Sequence, residues 1–371
     1  MKILMFCDFR GNLGDMIRIS KIHQFLKNKA KVEIVNLRDY HGSWIGMAGH
    51  SDVLMHFMSK KISGDPLAKY TAYEKLGKKV LEKKIEEFKP DIVWAEGILQ
   101  GSIAVDTVPE GVQTLVDIHG LASAEYAENP NTPLSDTYLN YLYNAESNVF
   151  HHSTWLVAVS GHMKDYILGI NNVKKKAKVI VIPNGADPQQ RIAKFTSPLR
   201  VVYGGIFAFW EDLDTFVDMA VSDEKRMYYM LGDGPMKPHI TERIKNEETG
   251  INYLGYRNRE MTLQTFANMS VGVAPTTKNT TRHVASPIKV FDYMACGLPV
   301  VTVDFGEWGK IVAKNGCGIA TKNSDSREFL SALDQMSDQK TWKQMSSNAI
   351  EFIKRKYSWE TLLEPAEKVL Q

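Results

Sequence analysis

The segment Ser286-Pro287-Ile288-Lys289-Val290-Phe291-Asp292-Tyr293-Met294-Ala295-Cys296-Gly297-Leu298-Pro299-Val300-Val301 joins a helix start to a cation and a carboxylate. Ser286 suits a helix cap and Pro287 the first helical position. Free backbone N–H groups there, with the helix dipole, favour an anion. Lys289 falls in the first turn, where a cation disfavours the helix unless a phosphate offsets it. Asp292 follows three residues later on roughly the same face and suits sugar hydroxyls as an acceptor. Gly297 then ends the helix. The same residues also read as an ordinary capped helix with a Lys–Asp pair, and spacing leaves both readings open.

Other segments bear on chemistry more weakly. Leu115-Val116-Asp117-Ile118-His119-Gly120 sets His119 just past an apolar run, where open α/β sheets bind ligands. Arg10-Gly11-Asn12-Leu13-Gly14-Asp15 follows the first apolar run but is not GxGxxG, so dinucleotide binding has little support. Its glycines permit close backbone approach. Asp212-Leu213-Asp214 reads as acidic residues at a helix start rather than a metal site. No His/Cys cluster has zinc spacing, and no metal is expected. His151-His152 read as surface or packing residues. Cys7, Cys296 and Cys317 are far apart and read as buried structural thiols in a reducing compartment. The Asn-x-Ser/Thr matches at Asn268 and Asn279 read as chance.

Elements must position these residues. In the first half, strands are expected at Lys2–Cys7, Val32–Asn36, Ile92–Ala95, Thr114–Ile118, Leu156–Val159 and Lys178–Ile182. Helical stretches at Gly14–Asn28, Lys69–Lys89, Asp136–His151 and Gly161–Gly169 alternate with them. Pro183-Asn184-Gly185-Ala186-Asp187-Pro188 marks a linker. The alternation then restarts, with strands at Leu199–Tyr203, Met227–Leu231, Ile251–Leu254, Val271–Ala274, Val300–Val303 and Gly318–Ala320. Helices are expected near Leu213–Val221, Pro235–Asn246, Arg259–Asn268, Pro287–Cys296 and Arg327–Met336, and along the chain from Thr341 to Leu370. Apolar strands alternating with amphipathic helices predict parallel sheets covered on both faces. The fold class is therefore α/β, with two doubly wound, Rossmann-like domains facing across a cleft. Their boundaries are 1–185 with the tail 357–371, and 186–356. Such a pair suits a two-substrate enzyme or a binding protein that closes on a ligand.

The motifs, taken in order, resemble one family. Val157-Ala158-Val159-Ser160, the turn Val181-Ile182-Pro183-Asn184-Gly185-Ala186-Asp187, Leu231-Gly232-Asp233-Gly234-Pro235, the long segment at 286–301 and Tyr357-Ser358-Trp359 span nearly the whole chain. Their order and spacing resemble those of GT-B glycosyltransferases, especially glycosyltransferase family 4. The resemblance implies that the second domain holds a nucleotide diphosphate sugar and the first an acceptor. It implies ribose contact at Asp292, donor-sugar contact at His119, and base recognition near Tyr256. It places the loop of Arg10, Gly11, Asn12 and Gly14 near phosphate and acceptor, with Glu125 toward acceptor or sugar.

The sequence departs from the pattern in places. Asp292 stands where Glu is usual, and Val284 where a second Glu often serves the donor sugar. The sugar is therefore expected near the backbone of His283–Ser286. After Tyr203-Gly204-Gly205, two positions that often carry Arg and Lys hold Ile206 and Glu211. Diphosphate binding then falls to Lys289, Arg282 and the backbone of Gly204–Gly205.

The whole chain of 371 residues carries 45 Lys plus Arg against 43 Asp plus Glu, a net charge of +2, which argues against a protein built to coat nucleic acid. No apolar run approaches the length of a membrane span. Trp44–Met47, Val53–Lys61 and the lysine-rich 69–89 stretch read as a core-facing loop and a solvated helix, or as a surface for a membrane or lipid-linked glycan. The expected activity is transfer of a sugar, with retention, from a UDP- or GDP-sugar to a glycan, lipid-linked or other hydroxyl acceptor. No tightly bound cofactor is expected. Lys289 would stabilise the leaving diphosphate and His119 orient the sugar. The expected location is cytoplasmic, with peripheral membrane contact through the first domain. An epimerase or phosphorylase on the same fold, or a non-catalytic binding protein, is the competing expectation.

Overall fold

A computed structural model describes residues 1–8, 14–40, 66–170 and 178–370. The chain divides into two units, Met1–Pro183 with Leu363–Gln371, and Asn184–Leu362. In the first, β1 (Lys2–Cys7), β2 (Lys31–Asn36), β3 (Ile92–Glu96), β4 (Gln113–Ile118), β5 (Trp155–Ala158) and β6 (Lys178–Val181) form one parallel sheet in the order β2-β1-β3-β4-β5-β6. Ile3 to Phe6 and Val93 to Ala95 are wholly buried because helices cover both faces of the sheet.

The second unit repeats the plan. β7 (Arg200–Gly204), β8 (Met227–Leu231), β9 (Asn252–Tyr253), β10 (Val271–Ala274), β11 (Val300–Val303) and β12 (Gly318–Thr321) run parallel in the order β12-β11-β10-β7-β8-β9. The strand expected at 251–254 is cut to Asn252–Tyr253, an edge strand that pairs only with β8 and precedes a turn in which Gly255 has φ +69°.

In each sheet the chain lays strands outward on one side and then returns to build the other. The order therefore reverses between β1 and β3 in the first unit and between β7 and β10 in the second. Ligands of open parallel sheets sit beyond the strand ends at such a reversal.

The helix Ile288–Ala295 packs Val290, Phe291, Tyr293 and Met294 into the second core, each at most 1% exposed. Burial of each such side chain stabilises by about 1.5–3 kcal/mol. Tyr293 lies against Gly272, where an added Cβ would stand 2.4 Å from its ring. Its hydroxyl accepts the Gly204 N–H at 2.7 Å, which fixes the end of β7 to this helix.

The unit boundaries differ from those expected at 185 and 357. Asn184 is held in the second unit, because its N–H donates to Ser286 Oγ at 3.0 Å and its side-chain amide to Ser286 O at 2.6 Å. Tyr357 stays there too, stacked on Phe291 at 4.7 Å and Phe352 at 4.9 Å, with its carbonyl accepting the Ala186 N–H. The return to the first unit comes at Leu363, where Leu363, Ala366 and Val369 bury themselves. No helix among the described residues is long and apolar enough to cross a membrane.

Candidate functional site

Each reversal point carries a buried charge cluster. In the second unit the segment after β7 supplies Glu211, the segment after β10 supplies Arg282, and the next helix supplies Lys289 in its first turn. Their side chains are 2%, 8% and 10% exposed. Lys289 Nζ contacts Glu211 Oε2 and donates to the Tyr203 hydroxyl at 2.9 Å, lying 4.6 Å above that ring. Arg282 Nη1 is 3.6 Å from Glu211 Oε1, and its Nε donates to Thr276 Oγ1 at 2.9 Å. The guanidinium lies over the Trp308 ring. Burial lowers the Lys289 ammonium to about 8, with Glu211 opposing and Arg282 adding to the fall. Burial acts against the Glu211 carboxylate, but Lys289 and Arg282 outweigh it and hold its pKa below the ordinary value.

Several expectations for this region need correction. Ser286 does not cap the helix, because its hydroxyl is engaged by Asn184, and Pro287 takes the cap position just before Ile288. No side chain caps that helix start, and no acidic residue lies in its first turn. The Lys–Asp pairing does not form either. Lys289 pairs with Glu211, whereas Asp292, 3% exposed, is gripped by both terminal nitrogens of Arg259. Its carboxylate therefore already has a cationic partner where a ribose was expected. Burial raises the Asp292 pKa and Arg259 opposes that rise.

The N–H groups of Gly204 and Gly205, expected near the diphosphate, donate here to Tyr293 Oη and Leu231 O. Gly205 instead supplies room, since a Cβ there would lie 2.8 Å from Lys289 Cε. Gly232 (φ +144°) closes on this turn, and a Cβ there would stand 1.9 Å from Gly205 O. His283 is exposed beside Phe305, with ring centres 5.5 Å apart, and Tyr256 is 52% exposed after Gly255. Asp214 of the DxD sequence is held by Arg243 at 2.7 Å and His239 at 2.8 Å.

The first-unit cluster is a chain of four groups. Arg18 Nε and Nη2 donate to Asp117 Oδ2 and Oδ1, both at 2.8 Å, and its Nη1 reaches Ile182 O at 2.9 Å. His119 Nε2 is 2.9 Å from Glu96 Oε2 and 3.6 Å from Asp117 Oδ2. Arg18 and Asp117 are 1% and 0% exposed and Glu96 is 5% exposed. Glu96 Oε1 has no hydrogen-bond partner among the described residues. Burial alone would lower the His119 pKa, but Asp117 and then Glu96 push it up to about 10. Arg18 and His119 hold Asp117 near about 2 against its own burial, and burial with the Asp117 charge raises Glu96. His119 is thus an imidazolium at neutral pH, a donor rather than a base.

Glu125 folds over the turn beside it, since a Cβ on Gly120 would lie 2.0 Å from Glu125 Oε1. Glu146 holds that turn's helix, Ala122–Ala127, by accepting the Ser123 N–H and hydroxyl. Gly14 opens the helix Gly14–Lys27, while Arg10, Gly11 and Asn12 lie outside the described residues, as do Trp44–Met47 and Val53–Lys61.

Sequence reasoning missed Arg18, Glu96, Asp117, Arg259 and the partnering role of Glu211. A charged residue inside an apolar strand run, as in Ile92-Val93-Trp94-Ala95-Glu96 and Leu115-Val116-Asp117, was the available signal. Glu96, Asp117 and His119 are the one group of possible metal ligands found among the described residues, within 4.8 Å of one another. The donor set does not suit a cation, because Arg18 already engages both Asp117 oxygens and the His119 imidazolium adds a second positive charge. The three cysteines are buried free thiols, and burial raises Cys296 and Cys317 to about 12. In the lysine-rich helix Pro66–Phe88, Lys78 pairs with Glu74 and Asp106, and Lys84 with Glu33 and Glu87.

Two family models match the chain, one mainly within each unit. "Glycosyltransferase Family 4" matches residues 63–190 and "Glycosyl transferases group 1" matches residues 198–339. Among solved structures, a sucrose-phosphate synthase from Thermosynechococcus elongatus superposes with a TM-score of 0.79 at 13% identity, covering 100% of this chain and 98% of that one. HepE of Anabaena, solved in complex with UDP-glucose, gives 0.72 at 16% identity over 100% and 99%. The lipopolysaccharide outer core galactosyltransferase WaaB gives 0.67 at 13% over 100% of both chains. No curated protein matches the sequence.

Proposed function

We propose, for a chain that is a GT-B glycosyltransferase resembling family 4, that the second unit binds the diphosphate of a UDP- or GDP-sugar at Lys289 and Arg282. The sugar then passes, with retention, to a hydroxyl of a glycan or lipid-linked acceptor. The observation that carries this reading is a pair of largely buried cations at the sheet's reversal point, beside a helix start that no side chain caps. Supporting it, HepE was solved in complexes with UDP and with UDP-glucose, and WaaB is a lipopolysaccharide outer core galactosyltransferase.

Lys289 and Arg282 stabilise negative charge on the departing diphosphate, which can itself take the acceptor's proton. His119, held charged by Asp117 and Glu96, is kept as the donor-sugar contact that the family resemblance implies, and acts there as a hydrogen-bond donor. Peripheral membrane contact through that unit belongs to the same proposal and is read by co-sedimentation with anionic vesicles. A nucleotide-sugar panel screened by thermal shift identifies the donor, because bound ligand stabilises the folded state. Lys289→Ala should then keep the fold and cut donor turnover about 100-fold, the scale of losing one charge-stabilising donor. Near-normal turnover in that variant would remove Lys289 from the mechanism.

A further inference from the structure

Glu211 stands out among the residues of the second-unit cluster because its charge has the wrong sign for a diphosphate site. It is nonetheless its most buried member, and its two oxygens face the two cations, Oε2 toward Lys289 and Oε1 toward Arg282. The surroundings hold it there. Trp210 O accepts the Thr277 N–H at 3.1 Å and the Thr276 hydroxyl at 3.1 Å, which fixes the short helix Phe209–Glu211. The next residue, Asp212, turns the chain sharply with φ +40°. Two cations and one carboxylate leave the cluster a single net positive charge. Of the three Lys289 donors, one faces Glu211 and one Tyr203.

A carboxylate bridging two buried cations at the carboxyl ends of parallel strands makes the contacts that a phosphate oxygen would make there. We propose that Glu211 is a resident counter-ion of the donor site, so that donor binding and product release are a competition between its carboxylate and the incoming diphosphate. The inference rests on the donor-site reading above and adds to it a residue that sets the affinity for the diphosphate. Its consequence is a deliberately weakened hold on the nucleoside diphosphate product, which favours turnover where product release limits the rate.

The test is calorimetric titration of the full chain with UDP, and in parallel with GDP, for wild type, Glu211→Gln and Lys289→Ala, each checked by thermal melt. Glu211→Gln keeps the shape and removes the charge, and the expected result is binding at least tenfold tighter than wild type. Lys289→Ala should lose binding. Equal or weaker binding by a folded Glu211→Gln overturns the proposal and makes Glu211 a support for Lys289 alone, with the donor site intact. Absence of binding by both wild type and Glu211→Gln removes the donor-site reading and this inference with it. Should Glu211→Gln not fold, Glu211→Asp carries the test, since its shorter reach loosens the bridge. Severalfold tighter binding supports the proposal, and equal or weaker binding overturns it.

Discussion

His119 and Lys289 are moved in opposite directions by their neighbours, and this makes their charges separately readable. Two carboxylates raise His119 from an ordinary 6.5 to about 10, outweighing burial, which would lower it. The folded state therefore holds a proton that the unfolded chain has released. The stabilisation is complete below pH 6.5 and is lost as pH rises through about 10. Lys289, lowered by burial from 10.5 to about 8, adds a slope of opposite sign only above pH 8. Between pH 6.5 and 8 wild-type stability should fall relative to His119→Gln by about 1 kcal/mol per pH unit. Denaturant unfolding of both proteins at the two pH values measures it. Parallel curves would mean that His119 is neutral and free to act as a base. The identity of His119 and Lys289 as candidates was legible in the sequence. Their charge states were not: Asp117 is only two residues from His119, but the burial of each group and the approach of Glu96 to His119 and of Glu211 to Lys289 are set by the fold.

The elements around the second-unit cluster depend on a few close approaches. Gly232 meets the turn at Gly205 so tightly that any side chain must push that backbone away, and its φ of +144° is itself unfavourable for other residues. Gly232→Ala should cost about 2–4 kcal/mol of stability. It should also weaken UDP binding by displacing Gly205 from beneath Lys289. A thermal melt and a titration check both, and an unchanged melt would show that the turn adapts. The strands at Lys2–Cys7, Val271–Ala274 and Val300–Val303 fall where the apolar runs place them, because a strand buried on both faces must be apolar throughout. The start of the helix Ile288–Ala295 was misread. Ser286 has the chemistry of a cap, but the fold gives its hydroxyl a stronger claimant in the Asn184 N–H.

At the scale of the molecule, the nine residues Leu363–Gln371 belong to the first unit although they follow the second. Leu363, Ala366 and Val369 are at most 4% exposed, and Lys29 pairs with Glu367 at 2.5 Å. Truncation after Leu362 should destabilise the first unit by about 3–6 kcal/mol through lost burial, leaving the second unit unchanged. Urea unfolding followed by hydrogen exchange would resolve the two, and an unaltered first unit would show the tail to be dispensable. The sequence by itself determined two parallel α/β units, the order of their elements, the family they resemble and the cations Lys289 and Arg282. The units and their element order follow from apolar periodicity and turn chemistry, and Lys289 from its place in a helix start, whereas the family and the choice of Arg282 rest on the resemblance of the ordered motifs. Only the tertiary structure decided which charges meet. Arg18 finds Asp117 99 residues away, Glu211 finds Lys289 78 away, and Arg259 takes Asp292 33 away. In a parallel sheet the strand order, and not the chain order, sets which strand ends are neighbours, and burial then requires each charge to find a partner there.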